Sequence, residues 1–166
     1  MKKMENVAGF TLVETLTALF ILSLGILAAL AMITASLNSA IVVQDNLTAS
    51  NLVQEGVEVV RNMRDRDWLA GNSFGAFLAS AGGNGDYRVQ WNSTNLLSDL
   101  GNPVLLQDTT SGLYSYDSGN STKFKRRLTI TKLANNIEIK IISTVSWNNR
   151  GVSKQVSAEE HLFDWY

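Results

Sequence analysis

Few residues in this chain of 166 have the types and spacing to do chemistry. There is no cysteine and one histidine, which excludes disulfides, thiolate nucleophiles and multi-histidine metal sites. His161 stands beside Glu159 and Glu160, a combination suited to acid–base work. No second catalytic group accompanies it, so a surface histidine is the expectation. Lys123, Lys125, Arg126 and Arg127 put four basic residues in five. Such a run can meet phosphate, as in DNA capture. On a strand it splits between two faces, so a charged, aggregation-resistant strand is expected and DNA binding is not. Asp117-Ser118-Gly119-Asn120-Ser121 offers oxygen ligands but lacks the spacing and final glutamate of a calcium loop; it reads as a turn. Asp65-Arg66-Asp67 reads as a charged helix end. Asn46, Asn92 and Asn120 head Asn-x-Ser/Thr triplets short enough to arise by chance. No glycine-rich phosphate loop or nucleophile elbow is present. The expectation is no enzyme, no catalytic residue, no cofactor and no metal. One acid is placed unlike the rest, and it is Glu14.

Glu14 opens an apolar run. From Thr15 to Gln44 there are 30 residues without a charge, 21 of them apolar. This run explains why only 17% of the chain is charged, against about 25% in ordinary domains. Phe10 to Leu37 would make about 42 Å of helix at 1.5 Å per residue, enough to cross a bilayer. Lys2 and Lys3 precede it, which keeps the N-terminus cytoplasmic and exports the rest. The run is too long for a cleaved secretory signal, whose apolar core is about 7–15 residues. A carboxylate at such a boundary costs up to about 3 kcal/mol at the bilayer centre and less near its edge, so it marks function.

The residues around that acid read Lys2-Lys3, then Ala8-Gly9-Phe10-Thr11-Leu12-Val13-Glu14. This resembles the leader of type IV pilins: a short basic leader, Gly, an aromatic residue, Thr-Leu-Val-Glu, then a long apolar helix. The resemblance implies cleavage after Gly9 by a prepilin peptidase on the cytoplasmic side and N-methylation of the new terminal residue, Phe10. It makes Glu14 the fifth mature residue. Beside the resemblance stands a physical logic. Cleavage would leave an amine on Phe10 in the same layer as the Glu14 carboxylate, so the amine of one subunit can neutralise the acid of its neighbour. Losing one partner of a buried pair typically costs about 3–5 kcal/mol, so Glu14 and Phe10 would set register between subunits. Stems of this family often carry a proline; here there is none, and Gly25 is the weakest point of the helix.

Beyond the apolar run the helix is expected to continue, amphipathic, to near Asp67, with Gly71 as its cap. Val43, Leu47, Val53, Val57 and Val60 form its apolar stripe, and Glu58–Arg61 and Arg61–Asp65 its outer ion pairs. Residues 71–86 read as loop, 87–91 as a strand, and 92–122 as polar turns with a short strand near Leu113–Tyr116. Strong alternation follows. Phe124, Arg126, Leu128 and Ile130 share one face; Ile137, Ile139, Ile141, Val145 and Trp147 share another; Val152, Lys154, Val156 and Ala158 alternate again. Asn135-Asn136 and Asn148-Asn149-Arg150-Gly151 are turn signals.

The expected fold is α+β, a long helix whose second half covers an antiparallel sheet. The divisions are a leader at 1–9, a membrane and filament-core helix at 10–37, its amphipathic continuation at 38–70 and a β head at 71–166. The strand ending in Ser146-Trp147 and the terminal Leu162-Phe163-Asp164-Trp165 resemble PilV-like minor pilins and the minor pseudopilins of type II secretion. The resemblance implies a structural subunit of a type IV pilus or type II secretion pseudopilus. Its partners would be the prepilin peptidase/N-methyltransferase, other pilin or pseudopilin subunits and the inner membrane. Its location would be that membrane, then the periplasm or cell surface. The alternative is a membrane-anchored binding module that does not polymerise.

Overall fold

A computed structural model describes residue 9, residues 11–133 and residues 137–164. The chain divides into two compact units, Met1–Gln44 and Asp45–Tyr166. One helix, α1 (Leu12–Leu69), supplies the regular structure of the first unit and opens the second. No proline interrupts it, and it passes through Gly25 unbroken. It ends in a Schellman arrangement. Gly71 takes a positive φ of 74°, its N–H bonds Trp68 O at 3.0 Å, and Asn72 N–H bonds Asp67 O at 2.9 Å. Those carbonyls would otherwise be orphaned at the helix end.

Within the first unit every described residue is exposed, including Leu16, Phe20, Leu24 and Leu27. Within the second, α1 buries Ala49, Leu52, Val53, Val57, Val59, Val60 and Met63. The expected stripe is thus displaced at its start. Val43 and Leu47 are 56% and 61% exposed, while Asp45 and Ala49 face inward. The docked face is the one that carries Gly56, where a Cβ would lie 2.8 Å from Ser143 Oγ on the sheet. Residues on the Gly56 face, at spacings of three and four, become the buried ones. Arg61 pairs with Glu58 and also with Glu160 at 2.9 Å, whereas Asp65 pairs with its neighbour Arg64.

After α1 come a short helix α2 (Ala76–Ser80) and seven strands. They are β1 (Gly85–Arg88), β2 (Leu97–Ser98), β3 (Val104–Gln107), β4 (Tyr114–Ser115), β5 (Asn120–Lys132), β6 (Glu138–Asn149) and β7 (Val152–Phe163). All pairings are antiparallel in a single sheet. The long meander β5-β6-β7 is its frame. β5 holds β3 along its first half and β1 along its second, with β6 on its other side. The fold is α+β, a long N-terminal helix with an antiparallel sheet, consistent with the pilin fold.

Three local expectations are corrected. Residues 71–86 include α2, which buries Phe77 and Leu78; its Phe77 N–H bonds the Asp67 carboxylate at 2.6 Å. The strand expected at 87–91 stops at Arg88, because Val89 O is taken by the Arg126 guanidinium and Gln90 N–H by Ser93 Oγ. Ile137 is 54% exposed rather than inward. The turn signal Asn135-Asn136 lies outside the described residues.

The core has two apolar clusters with a polar layer between them. One gathers Leu52, Val53, Leu105, Phe124, Val145 and Trp147; the other, Val60, Met63, Leu128, Ile130, Ile139 and Ile141. Between them, on α1, β5 and β6, lie Glu55-Gly56, Arg126 and Ser143. Arg126 is fully buried. Its guanidinium donates to Leu52 O at 2.9 Å, to Glu55 Oε1 at 2.9 Å and to Val89 O. A buried charge survives only with such partners. Here they come from α1 and the β1 end, so the arginine ties the helix to the sheet.

Candidate functional site

The N-terminal segment is built as a cap followed by an apolar rod. Thr11 is the N-cap of α1. Its Oγ1 accepts the Glu14 N–H at 3.3 Å, and its carbonyl accepts the Thr15 N–H at 3.2 Å. Thr11-Leu12-Val13-Glu14 therefore has the spacing of a capping box, with the acid in the first turn where the helix dipole favours it. Gly9 lies outside the helix, exposed, and no described atom stands within 4 Å of where a Cβ would be. Nothing inside the fold requires glycine there. Phe10 lies outside the described residues.

Glu14 is exposed, and its carboxylate has no partner among the described residues. The rod that follows suits lipid or neighbouring helices. It is the one described helix long and apolar enough to cross a membrane. Five of its six hydroxyls from Thr15 to Ser39, all but that of Ser36, are already satisfied. Thr15 bonds Leu12 O, Thr17 bonds Val13 O and Glu14 O, Ser23 bonds Phe20 O, Thr34 bonds Leu30 O and Ala31 O, and Ser39 bonds Ala35 O. In a medium without water an unsatisfied polar group costs several kcal/mol, and these five side chains avoid that cost.

The other candidate residues are drawn into structure. Of the basic run, Arg126 is buried, Lys123 bonds Asp45 at 2.6 Å, and Arg127 bonds Asp99 at 2.6 Å with Asp86 at 3.6 Å. Of the four, only Lys125 stands clear of an acid or the core among the described residues. Asp117 accepts from Gln90, and Ser118 O accepts from Ser115 Oγ at 3.0 Å. Gly119, at φ 129°, packs where a Cβ would meet Gln107 O at 2.6 Å. This is a tight turn, and among the described residues no group of three His, Asp or Glu side chains could hold a metal. Asp67 caps α2.

His161 lies on the outer face of β7 between Glu159 and Glu138, not Glu160. Hydrogen bonds to Glu159 and then Glu138 raise its pKa, and His161 in turn lowers that of Glu159. Trp147 is buried in the core; Trp165 lies outside the described residues. Sequence reasoning missed the buried role of Arg126. The signal was present: an arginine at an inward position between Phe124 and Leu128.

Comparison with curated proteins and with solved structures gives no significant match. A family model does match, described as the prokaryotic N-terminal methylation motif, over residues 4–30. Those residues span the end of the basic leader, Gly9, the Thr11 cap, Glu14 and the first half of the apolar rod. The N-terminal segment of this chain is that of a type IV pilin-like prepilin.

Proposed function

We propose that the chain is a structural subunit of a type IV pilus or type II secretion pseudopilus. It is cut between Gly9 and Phe10, methylated on Phe10, held in the inner membrane by the apolar part of α1, and polymerised through that helix. The observation that carries this reading is the methylation motif over residues 4–30, which runs directly into a capped helix whose apolar side chains are all exposed through Val43.

Each residue has a role in the proposal. Gly9 serves the peptidase, since the fold itself leaves room for a larger side chain there. Gly9 itself lies ahead of the first residue of α1. Methylated Phe10 supplies a cation and Glu14 an anion at the same depth. In the inner membrane the acid lies near the lipid boundary; in a filament it meets the Phe10 amine of the next subunit. The packed apolar helices replace lipid, and the sheet-bearing heads face outward. A PilV-like minor role fits the length and the head, and the machine concerned is a motility pilus, a competence pilus or a secretion system.

The test is Glu14→Ala. Membrane insertion should persist, because the apolar run is untouched. Incorporation into sheared filaments, read by immunoblot against the membrane pool, should fall at least tenfold. Wild-type incorporation of the variant would remove Glu14 from the pairing.

A further inference from the structure

The chain enters its head at Asp45, and contacts along α1 show which end of the sheet that is. Lys123, near the start of β5, bonds Asp45 at 2.6 Å. Arg61 meets Glu160 at 2.9 Å, and Arg64 reaches Phe163 O at 3.5 Å. β7 therefore runs alongside α1 in the same sense, and the turn between β6 and β7 lies at the Asp45 end. Lys125, Ser146 and Gln155 form one row across the sheet. Asn149 and Val152 stand three residues beyond that row, about 10 Å at 3.3 Å each. Arg150 and Gly151 at the tip take φ of 52° and 83°, the two positive values of a type I′ turn. Gly151 N–H also bonds Asn148 Oδ1 at 2.7 Å, so the tip is a fixed turn.

Charge is sorted along this hairpin. Between Thr144 and Ser157 it carries Arg150 and Lys154 and no acid. Towards the other end Glu138, Glu159, Glu160 and Asp164 stand against Lys140. β5 adds Lys125 and contains no acid. Arg150, Lys154 and Lys125 are all exposed. Asp45 and Asp108, acids of the same end, are engaged already. Asp45 has Lys123, and Asp108 accepts the Thr110 N–H at 2.8 Å and the Ser111 hydroxyl at 2.9 Å. Beside the cations, Val152 is 55% exposed.

The uncharged run sets the height of this end. Its 30 residues, Thr15 to Gln44, span about 45 Å as helix. A bilayer with its headgroups is about 40–45 Å thick. When the run crosses a membrane, the next residue, Asp45, emerges at the far headgroup layer. The cationic turn is tethered there with it.

We propose that the β6–β7 turn is a second membrane contact of this chain. Arg150 and Lys154, with Lys125 behind them, rest on the phosphates of anionic phospholipids in the leaflet where α1 emerges. Such a surface attracts each cation within about a Debye length, about 8 Å at physiological salt. The tether favours lipid over nucleic acid, whose phosphates would have to enter between head and membrane. The proposal rests on the apolar part of α1 being a membrane anchor, and does not depend on polymerisation.

The full chain has no cysteine, so one introduced thiol can carry a label. A bimane on Ser153→Cys, an exposed position beside the turn, is read in reconstituted vesicles against a lipid with a nitroxide on its headgroup. In phosphatidylcholine containing phosphatidylglycerol, quenching should be at least threefold that in phosphatidylcholine alone. Arg150→Gln with Lys154→Gln should return it to the phosphatidylcholine level, with tryptophan fluorescence confirming a folded head. The same label on Ser73→Cys, in the loop after α1, should show no lipid dependence. Flotation of carbonate-washed vesicles reports the anchor separately. Protein that floats but is quenched alike in both lipids, or is indifferent to the double substitution, overturns the turn contact alone. Protein that does not float overturns the anchor and the contact with it. Release of the quenched label by duplex DNA would also overturn the proposal, giving the surface to nucleic acid.

Discussion

The two parts of α1 are the same helix facing different surroundings. Through Gln44, leucine, isoleucine and phenylalanine side chains point outward on all sides, and among the described residues none is buried. From Asp45 onward, α1 keeps one buried stripe and a polar remainder. The first part is hydrophobic all round, the pattern of a helix meant for lipid or for other helices; the second is amphipathic, the pattern of a helix meant for a sheet. A carboxylate has opposite meanings in the two. Asp45 is matched within its own unit by Lys123, whereas Glu14 has no partner among the described residues. Glycine differs as well. Gly25 has open space around it, while Gly56 is pressed against Ser143 and Arg126.

Leucine truncation should separate the parts most strongly. Leu128→Ala removes a fully buried side chain and should destabilise the head by about 2–5 kcal/mol. Leu24→Ala, at 51% exposure, should leave head stability unchanged. Urea unfolding of the detergent-solubilised protein, followed by tryptophan fluorescence, measures both. A comparable loss from Leu24→Ala would break the distinction.

The glycines give a smaller contrast of opposite sign. Gly56→Ala forces a Cβ to 2.8 Å from Ser143 Oγ and 3.2 Å from Arg126 Cδ, and should cost about 1–3 kcal/mol as overpacking. Gly25→Ala meets nothing within 4 Å and should stiffen the helix by about 1 kcal/mol. Unfolding midpoints report the first; amide exchange around residue 25 in micelles reports the second.

The smallest effect belongs to His161. Its pKa is raised above the ordinary 6.5 by Glu159 and Glu138. A raised folded value means that the protonated ring stabilises the fold below about pH 6.5 and that this contribution is lost as pH climbs through the folded value. Glu159 is lowered from 4.5, so its share is present above pH 4.5 and lost as pH falls through its own folded value. The sheet surface should therefore be steadiest in mildly acidic solution. As the chain's only histidine, His161 can be followed by imidazole NMR; a midpoint at or below 6.5 would contradict the paired geometry.

What was legible in the sequence followed from period and composition. Thirty uncharged residues announced one long apolar helix, and two-residue alternation from Phe124 to Ala158 announced the meander with its Arg150-Gly151 turn. What escaped depends on contacts distant along the chain. α2 has five residues and takes its cap from Asp67, so its own sequence is too short to signal a helix. β3 is four residues in a polar stretch, held by β5. The start of the docked stripe was misplaced because Val43 and Leu47 are apolar, while the docked face is the one that carries Gly56. Four clustered cations suggested a surface, yet three are neutralised by Asp45, Glu55, Asp86 and Asp99, acids spread from α1 to the loop after β2. In the N-terminal segment the Glu14 position was readable locally, because Gly9 to Glu14 is one contiguous motif, whereas the Thr11 cap came from the structure.

The account rests on the cut between Gly9 and Phe10. Intact mass spectrometry of the protein purified from membranes of cells with an active prepilin peptidase reads it directly. The predicted result is the mass of residues 10–166 plus one methyl group, with fragmentation placing that methyl on the Phe10 nitrogen. A chain that keeps residues 1–9, or begins anywhere other than Phe10, would contradict the account.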